Sequence, residues 1–269
     1  MKTSFSVIGV KTPIIHAGDD LPSIILEAAG KSPAGGISDG DILVIAESPV
    51  ATAEGRTVIL EAVTASQRAV ELGGRYGMDP RLVEVVLGES EAVVGGVRGF
   101  LLTLQQGTLL PNAGVDLSNT PQGTALPLPR DPDGSAVRIR RAIEGRTGVR
   151  VAVIIADSRT HAMRLGCASV AIGCAGIRAV IDERGRTDLY GRVLEVTQRA
   201  VADNIASAAV LVMGEADEST PCAIVRGLGL PIVEEVGVPA IAAEECLFMG
   251  VALHADPAVL HRDRKPEPF

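Results

Sequence analysis

The sequence predicts a mixed α/β or α+β fold in which helices cover sheets. Apolar runs of strand length, at 41–46 and 151–155, alternate with segments that have the apolar spacing of amphipathic helices, at 66–76 and 80–87. The run 151–155 is rich in β-branched residues, which is typical of a strand buried on both faces. With 269 residues and 46% hydrophobic side chains, the chain is long enough to bury a large core as one domain or two.

Turn and cap signals predict the remaining elements. Two further strands and a hairpin are predicted at 4–10, 223–225 and 93–110. Three further helices are predicted at 21–29, 136–146 and 194–213. Asp19 or Asp20 would cap the first of these helices, and a strand over 210–213 is the alternative for the end of the last. Residues 255–269 are expected to form a polar tail.

The composition argues against nucleic-acid and membrane-bound classes of protein. The formal net charge is -8 and the pI is about 5.1, so general affinity for nucleic acid is not expected. The basic residues of the segment 136–146 are interpreted as a solvated helix face: Arg138, Arg140, Arg141 and Arg146. Neither a signal peptide nor an apolar run of bilayer length is recognised, which predicts a soluble, cytoplasmic protein with no membrane partner.

The cysteines predict a reducing environment rather than a disulfide framework. Cys167, Cys174, Cys222 and Cys246 form no CxxC pair and lie in apolar surroundings, so they are expected to be buried free thiols. A zinc site is not expected from this spacing. Met163, Cys167 and Cys174 are expected to pack beneath the site described next.

Three acidic loops carry the chemistry that the sequence suggests. They are centred on Asp116, on Asp157 with Ser158, and on Glu215, and each follows an apolar segment. Ligands gather at the carboxyl ends of strands in helix-covered sheets, and Mg²⁺ or Mn²⁺ prefers oxygen ligands. The three loops together therefore predict a site for divalent cations and a nucleotide phosphate. Two structural alternatives stay open here: Asp157 as the N-cap of a following helix, and the segment 112–119 as an Asx-rich turn.

A set of motifs along most of the chain resembles one family. The motifs are NAGVDLSN at 112–119, DPDGSA at 131–136, VAVIIADS at 151–158, AIGCAGI at 171–177, DLYGR at 188–192, LEVTQRAVADNIASAAVLVMGEAD at 194–217 and IVRGL at 224–228. On these residues the chain resembles the coenzyme F420-0:L-glutamate ligase family, which includes CofE and the amino-terminal part of the FbiB protein. The resemblance implies an α+β, two-lobed module over 4–254 and an intertwined homodimer with sites near the subunit boundary.

The resemblance also implies an activity. It predicts a GTP- and divalent-metal-dependent ligase that adds L-glutamate to the deazaflavin precursor F420-0 through an acyl phosphate, with two Mg²⁺ or Mn²⁺ ions and a monovalent cation as an option. Carried over by motif, the metal ligands are Asp116, Asp157, Ser158 and Glu215, and the catalytic residues are Asp116, Asp157 and Arg164. The implied nucleotide contacts are Thr12, Pro13, Ile14, Ile15, Glu47, Ser48, Thr52, Asn119, Met213, Gly214, Ala216, Asp217, Glu218, Ser219 and Thr220.

Three departures from the family pattern keep other hypotheses open. Thr52 stands where the family usually has a Lys before AEGR, the Arg-rich run after the Asp-Ser pair is reduced to Arg159 and Arg164, and the loop 216–220 gains carboxylates. A paralogous amide ligase for another carboxylate, amine or nucleotide is the first alternative. A catalytically inactive metal-binding or regulatory homologue is the second. His161 near the Asp-Ser pair is either a surface group or a contact to phosphate.

Overall fold

The computed structural model describes residues 4–252, which form twelve strands and seven α-helices. The strands are β1 (Ser6–Val10), β2 (Ile42–Ala46), β3 (Val58–Ile59), β4 (Ala92–Val97), β5 (Phe100–Gln105), β6 (Thr108–Pro111), β7 (Thr124–Ala125), β8 (Ala152–Thr160), β9 (Cys167–Ala175), β10 (Val180–Asp182), β11 (Gln198–Ala200) and β12 (Cys222–Arg226). The helices are α1 (Leu21–Lys31), α2 (Glu47–Ala53), α3 (Gln67–Tyr76), α4 (Pro80–Glu89), α5 (Pro132–Thr147), α6 (Val201–Met213) and α7 (Leu247–Ala252). The mixture confirms the predicted α+β class, while the predicted tail at 255–269 lies outside the described residues.

A five-stranded sheet organises the chain, with the strand order β1-β12-β2-β8-β9. β2 and β8 are parallel neighbours, whereas the other three pairings are antiparallel. β1 therefore runs in the same direction as β2 and β8. As a result, the carboxyl ends of β1, β2 and β8 lie at the same edge of the sheet as the amino end of β12.

Helices cover both faces of this sheet because both sets of alternating side chains are apolar. On one face Leu43 and Ile45 of β2 belong to a buried cluster with residues of α1 and α5. On the other face Ile42 and Val44 belong to a cluster with α6. The α6 side of this contact is made largely by small residues, which permit close packing of the backbones: Ala202, Ala206 and Ala209.

A third hydrophobic cluster involves other parts of the chain. It joins α3 and α4 to β5 and β7, with Val83, Val86, Leu101 and Ala125 fully or almost fully buried. The strands β4, β5 and β6 form a separate three-stranded sheet beside it, in place of the predicted two-stranded hairpin. The division of the chain into two lobes stays a prediction.

Several predicted boundaries are corrected by the structure. β8 continues to Thr160 and returns as β9, so Asp157 lies within a strand and the alternative that it caps a helix is wrong. The segment 47–53, for which no helix was predicted, is the helix α2. The predicted helix over 194–213 begins only at Val201, because residues 198–200 pair with β10, and its last residues are helical rather than a strand.

Two statements about burial are also corrected. Arg140 was predicted on a solvated face, but its side chain is only 7% exposed and donates to the carboxylates of Glu144 and Glu234 and to the Val151 carbonyl. Cys174 and Cys222 are buried free thiols as predicted, whereas Cys246 is half-buried. Cys167 and Met163 are exposed and do not pack beneath the site, because the hairpin between β8 and β9 projects into solvent.

Among the helices of residues 4–252, none combines the length and the apolar character that crossing a bilayer requires.

An ion pair between the partly exposed Arg226 and the buried Asp41 links the end of β12 to the connection before β2. Arg226 donates from Nε and Nη2 to the two carboxylate oxygens of Asp41, at 2.8 and 2.7 Å, and its terminal nitrogens also reach the carbonyls of Ala34 and Gly36. The Asp41 side chain is 1% exposed. Removing one partner of such a pair strands a buried charge and costs about 3–5 kcal/mol.

We therefore expect Arg226→Met to lower the free energy of unfolding by about 3–5 kcal/mol, measured by urea titration. The double variant Asp41→Asn with Arg226→Met should recover part of the loss, because no uncompensated charge is left. Equal losses in the single and double variants would show that the ion pair itself is not the source of the effect.

Candidate active site

The topology of the central sheet brings the predicted site segments together. Glu47 and Ser48 follow β2, while Asp157 and Ser158 lie at the corresponding level of the neighbouring parallel strand β8, where Ala46 is paired with Ala156. The segment after β1 and the loop before β12 reach the same edge, and they are joined there by a hydrogen bond from the Thr12 amide to the Ser219 carbonyl. Segments that are remote in sequence therefore border one space.

That space is a cavity of about 700 Å³. All four predicted metal ligands line it: Asp116, Asp157, Ser158 and Glu215. All of the predicted nucleotide contacts line it as well: Thr12, Pro13, Ile14, Ile15, Glu47, Ser48, Thr52, Asn119, Met213, Gly214, Ala216, Asp217, Glu218, Ser219 and Thr220. Arg164, predicted to be catalytic, is not among the lining residues and is exposed in the turn of the β8–β9 hairpin.

The Asp-Ser pair is held by neighbours on either side. Asp157 accepts a hydrogen bond of 2.7 Å from Nε of Arg159, two residues further along β8. The Ser158 hydroxyl lies 2.7 and 2.8 Å from the two carboxylate oxygens of Glu215, which comes from the loop after α6. A bulge in the pairing of β8 with β9, between Ile155 and Ala156, immediately precedes these residues. Such bulges re-aim the side chains that follow them, and they are common beside active sites.

Asp116 is fixed by its own turn. Its Oδ1 accepts from the amides of Leu117 and Ser118, and its Oδ2 accepts from the Ser118 hydroxyl. The backbone of Asp116 pairs with Leu126 in both directions, which anchors the turn to the rest of the chain. The two alternatives for this segment are therefore compatible, since Asp116 both stabilises an Asx-type turn and borders the cavity.

The pKa of Glu47 is affected by the negative charge concentrated in the cavity. Burial, together with the charges of Asp157, Asp116 and Glu215, raises the pKa of its carboxyl group to about 8. Burial also raises the pKa of Asp157, although the neighbouring Arg159 guanidinium opposes this change. The raised pKa values mean that burial and neighbouring negative charge disfavour the ionised form of these carboxyl groups.

The loop from Met213 to Thr220 is stabilised by hydrogen bonds between its own residues. The Glu218 carboxylate accepts a hydrogen bond of 2.8 Å from the Ala216 amide, and backbone hydrogen bonds lower the pKa of Glu218. Gly214 has a φ of 77°, a backbone conformation that strongly favours glycine at this position. The carboxylate of Glu218 is therefore directed to the loop backbone.

The oxygen donors of the cavity match the chemistry of a hard divalent cation, although they are not gathered around one point. Asp116, Asp157, Ser158 and Glu215 supply only carboxylate and hydroxyl oxygen, which Mg²⁺ and Mn²⁺ prefer. Within residues 4–252, no group of three or more His, Cys, Asp or Glu side chains is placed to hold one metal ion. Each of the three carboxylates instead accepts hydrogen bonds from nearby protein donors. To bind a metal ion together, the three carboxylates would have to break these hydrogen bonds.

Several lining residues were not predicted from sequence. Arg159 was not assigned to the site, and Ser118, Phe100, Thr160 and Ser169 were not predicted at all. The position of Arg159 follows from strand alternation once β8 is known to extend past Asp157, because residues i and i+2 share a face. His161 does not line the cavity; its ring packs edge-to-face on Phe248, with 5.3 Å between the ring centroids.

Comparison with known proteins agrees with the motif resemblance. A family profile described as F420-0:Gamma-glutamyl ligase matches residues 9–227. The coenzyme F420:L-glutamate ligase of Methanothermobacter thermautotrophicus is 46% identical over 226 residues, covering 82% of this chain and 88% of the relative. The protein of the same name from Methanocaldococcus jannaschii is 40% identical over 245 residues, covering 91% and 96%. That from Archaeoglobus fulgidus is 43% identical over 218 residues, covering 81% and 85%. These matches confirm the family predicted from the motifs, and the chain belongs to the F420-0:gamma-glutamyl ligase family of enzymes.

Proposed function

We propose that this enzyme joins L-glutamate to F420-0 by an amide bond in a reaction that requires GTP and divalent metal ions. The relatives carry the name coenzyme F420:L-glutamate ligase and align with 81% or more of this chain. The observation that carries the proposal is the single cavity that Asp116, Asp157 and Glu215 share with the segments 12–15 and 213–220.

The charge of this cavity supports the metal requirement. Among the described lining residues, the carboxyl groups are Glu47, Asp116, Asp157, Glu215, Asp217 and Glu218, and the basic side chain is Arg159. A triphosphate entering such a cavity would be repelled by like charge at short range. Asp116, Asp157, Ser158 and Glu215 are the residues that would hold divalent cations, and the positive charge of these ions would offset this repulsion.

The proposed chemistry proceeds in two steps. The carboxylate of F420-0 attacks the γ-phosphorus of GTP, so that GDP leaves and an acyl phosphate forms. The amine of glutamate then attacks the acyl carbon, phosphate leaves, and the amine gives up its proton. Bound metal ions would supply electrostatic stabilisation of the transferred phosphoryl group. The protein holds the nucleotide between the segments 12–15 and 213–220, so that positioning accounts for most of its work.

A coupled assay tests this function. Purified protein with Mn²⁺, GTP, F420-0 and glutamate should release GDP and yield a product heavier by one glutamyl residue, detected by mass spectrometry. Omitting F420-0, glutamate or the metal should each abolish GDP release. Absence of turnover under every metal tested, with all substrates present, would contradict the proposal.

A paralogous ligase is the second candidate, and the composition of the nucleotide side of the cavity favours it. Thr52 lines the cavity at the position where the family resemblance predicts a lysine, and Asp217 and Glu218 of the altered loop 216–220 line it as well. A thermal-shift screen of nucleotides with Mn²⁺ separates the candidates, because ligands of the folded state raise the melting temperature. Preference for a nucleotide other than GTP would support the paralogue. No response to any metal or nucleotide would support an inactive homologue.

We also propose that the enzyme acts as a homodimer in the cytoplasm. The arm between β10 and β11, residues 183–197, exposes apolar side chains: Leu189 is 99% exposed and Tyr190 is 90% exposed. Exposed apolar groups clustered on one segment are typical of an association surface. The four free thiols favour a reducing compartment.

The double variant Leu189→Asp with Tyr190→Asp should therefore be a monomer in light scattering after size-exclusion chromatography, because two carboxylates would be buried at the contact. The wild-type chain should elute at twice the mass. If the double variant were still a dimer, the arm would not be part of the interface. If the wild-type chain were a monomer, the proposal of a homodimer would be wrong.

A further inference from the structure

We infer that Arg159 binds a phosphate group of the nucleotide and thereby supplies the phosphate-binding cation of this enzyme. The inference rests on the proposed function, since it concerns the nucleotide that the cavity takes. It begins from the charge of the cavity, in which Arg159 is the basic side chain among six carboxyl groups of the described lining residues. Thr52, which also lines the cavity, offers a hydroxyl group and no charge.

The position of Arg159 is fixed by its neighbours. It lies on β8 two residues after Asp157, so both side chains leave the strand on the same face. Its Nε donates to Oδ2 of Asp157 at 2.7 Å, and the two side chains are only 15% and 14% exposed. A charged pair with so little exposure is held more firmly than a surface ion pair and is less screened by salt. The guanidinium is therefore already oriented in the cavity wall.

The guanidinium also retains unused donors. Among residues 4–252, none accepts a hydrogen bond from Nη1 or Nη2 of Arg159, so its terminal N–H groups have no protein acceptor there. An arginine fork binds phosphate oxygens through two parallel N–H bonds, and it does so more selectively than a lysine ammonium. One side of the guanidinium thus orients Asp157 while the other side is available to a phosphate.

This arrangement serves the metal ligands as well. The ion pair uses Oδ2 of Asp157 and leaves Oδ1 outside it, which keeps one oxygen for a divalent cation. Hydrogen-bond partners of metal ligands commonly fix ligand orientation in this way. Arg159 would accordingly contact both the phosphate and the metal ligand Asp157. These two contacts distinguish it from Arg164, which lies at the exposed hairpin turn.

The test compares nucleotide binding by Arg159→Met, Arg159→Lys and wild type, with GTP and guanosine as probes in the presence of Mn²⁺. Arg159→Met should weaken GTP binding about 10- to 100-fold, as expected for a lost charge-assisted contact, and should leave guanosine binding unchanged. Arg159→Lys should fall between the two because it keeps charge without the fork. Adding Thr52→Lys to Arg159→Met should restore part of the GTP affinity, since it returns a cation to the cavity.

Arg81→Met is the matched control. Arg81 also pairs with an aspartate two residues earlier, through Nε at 3.0 Å to Asp79, but on the surface at the start of α4. It should bind both probes like the wild type. The inference would be overturned if Arg159→Met bound GTP with the affinity of the wild type, or if it lost affinity for GTP and guanosine equally. In either case, coupled turnover by the wild-type enzyme would still support the proposed function. A wild-type chain that binds no GTP with Mn²⁺ overturns both.

Discussion

Asp157→Asn should abolish coupled GDP release, with a loss of about 100-fold or more in kcat/KM. Altering the hydrogen-bond partners of metal ligands already costs about 10- to 100-fold, and loss of a ligating carboxylate should exceed that. The substitution preserves the shape of the side chain but removes the charge that Mg²⁺ or Mn²⁺ would neutralise. The measurement is the initial rate of GDP release at several concentrations of Mn²⁺.

Two controls separate catalysis from folding in this experiment. Asp79→Asn removes the charge of an exposed aspartate that is likewise paired with an arginine two residues on, and it should retain full activity. The melting temperature of Asp157→Asn, measured on the same samples, should stay above the assay temperature, so that the loss of GDP release is not caused by unfolding. A fully active Asp157→Asn enzyme would remove Asp157 from the metal site.

The metal-free protein should lose stability as the pH rises from about 5 to about 9. Burial raises the pKa of Glu47 from 4.5 to about 8 in the folded protein, so the folded state holds an extra proton between these values. The stabilising contribution is complete below pH 4.5 and is lost as the pH rises through about 8. For a half-buried group the change is on the order of a few kcal/mol.

Urea titrations in EDTA at a series of pH values measure this effect. Glu47→Gln should flatten the profile because it removes the titrating group, whereas Glu71→Gln, at an exposed position on α3, should not. Mn²⁺ should also reduce the slope, since a bound cation favours ionised carboxyl groups. A profile of unchanged slope in Glu47→Gln would show that another group governs the pH dependence.

Local patterns in the sequence were sufficient to predict the elements that border the cavity. Apolar runs followed by acidic residues identified Asp116, Asp157 and Glu215, and each lines the cavity. This works because the buried part of a strand or helix must be apolar, whereas the polar residues that follow it face a ligand or solvent. The cap signal before α1 was similarly direct, since Asp20 accepts a hydrogen bond from the first turn of this helix.

Features that depend on distant partners could not be predicted in this way. The polar residues after Ile155 look like a loop, but they continue β8 because β9 pairs with them, and this extension places Arg159 in the cavity wall. Arg140 is buried because Glu234, 94 residues away, and the Val151 carbonyl accept its hydrogen bonds. The ion pair of Asp41 and Arg226 spans 185 residues. No local sequence pattern predicts contacts between residues so far apart in the chain.

Equilibrium binding of GTP with and without a divalent cation tests the central claim most directly. The cavity, which described residues line with six carboxyl groups and one guanidinium, should admit a triphosphate only together with metal ions. Isothermal titration of the wild-type chain should show saturable GTP binding in Mn²⁺ and no detectable binding in EDTA. GTP binding of equal affinity in EDTA and in Mn²⁺ would contradict the account.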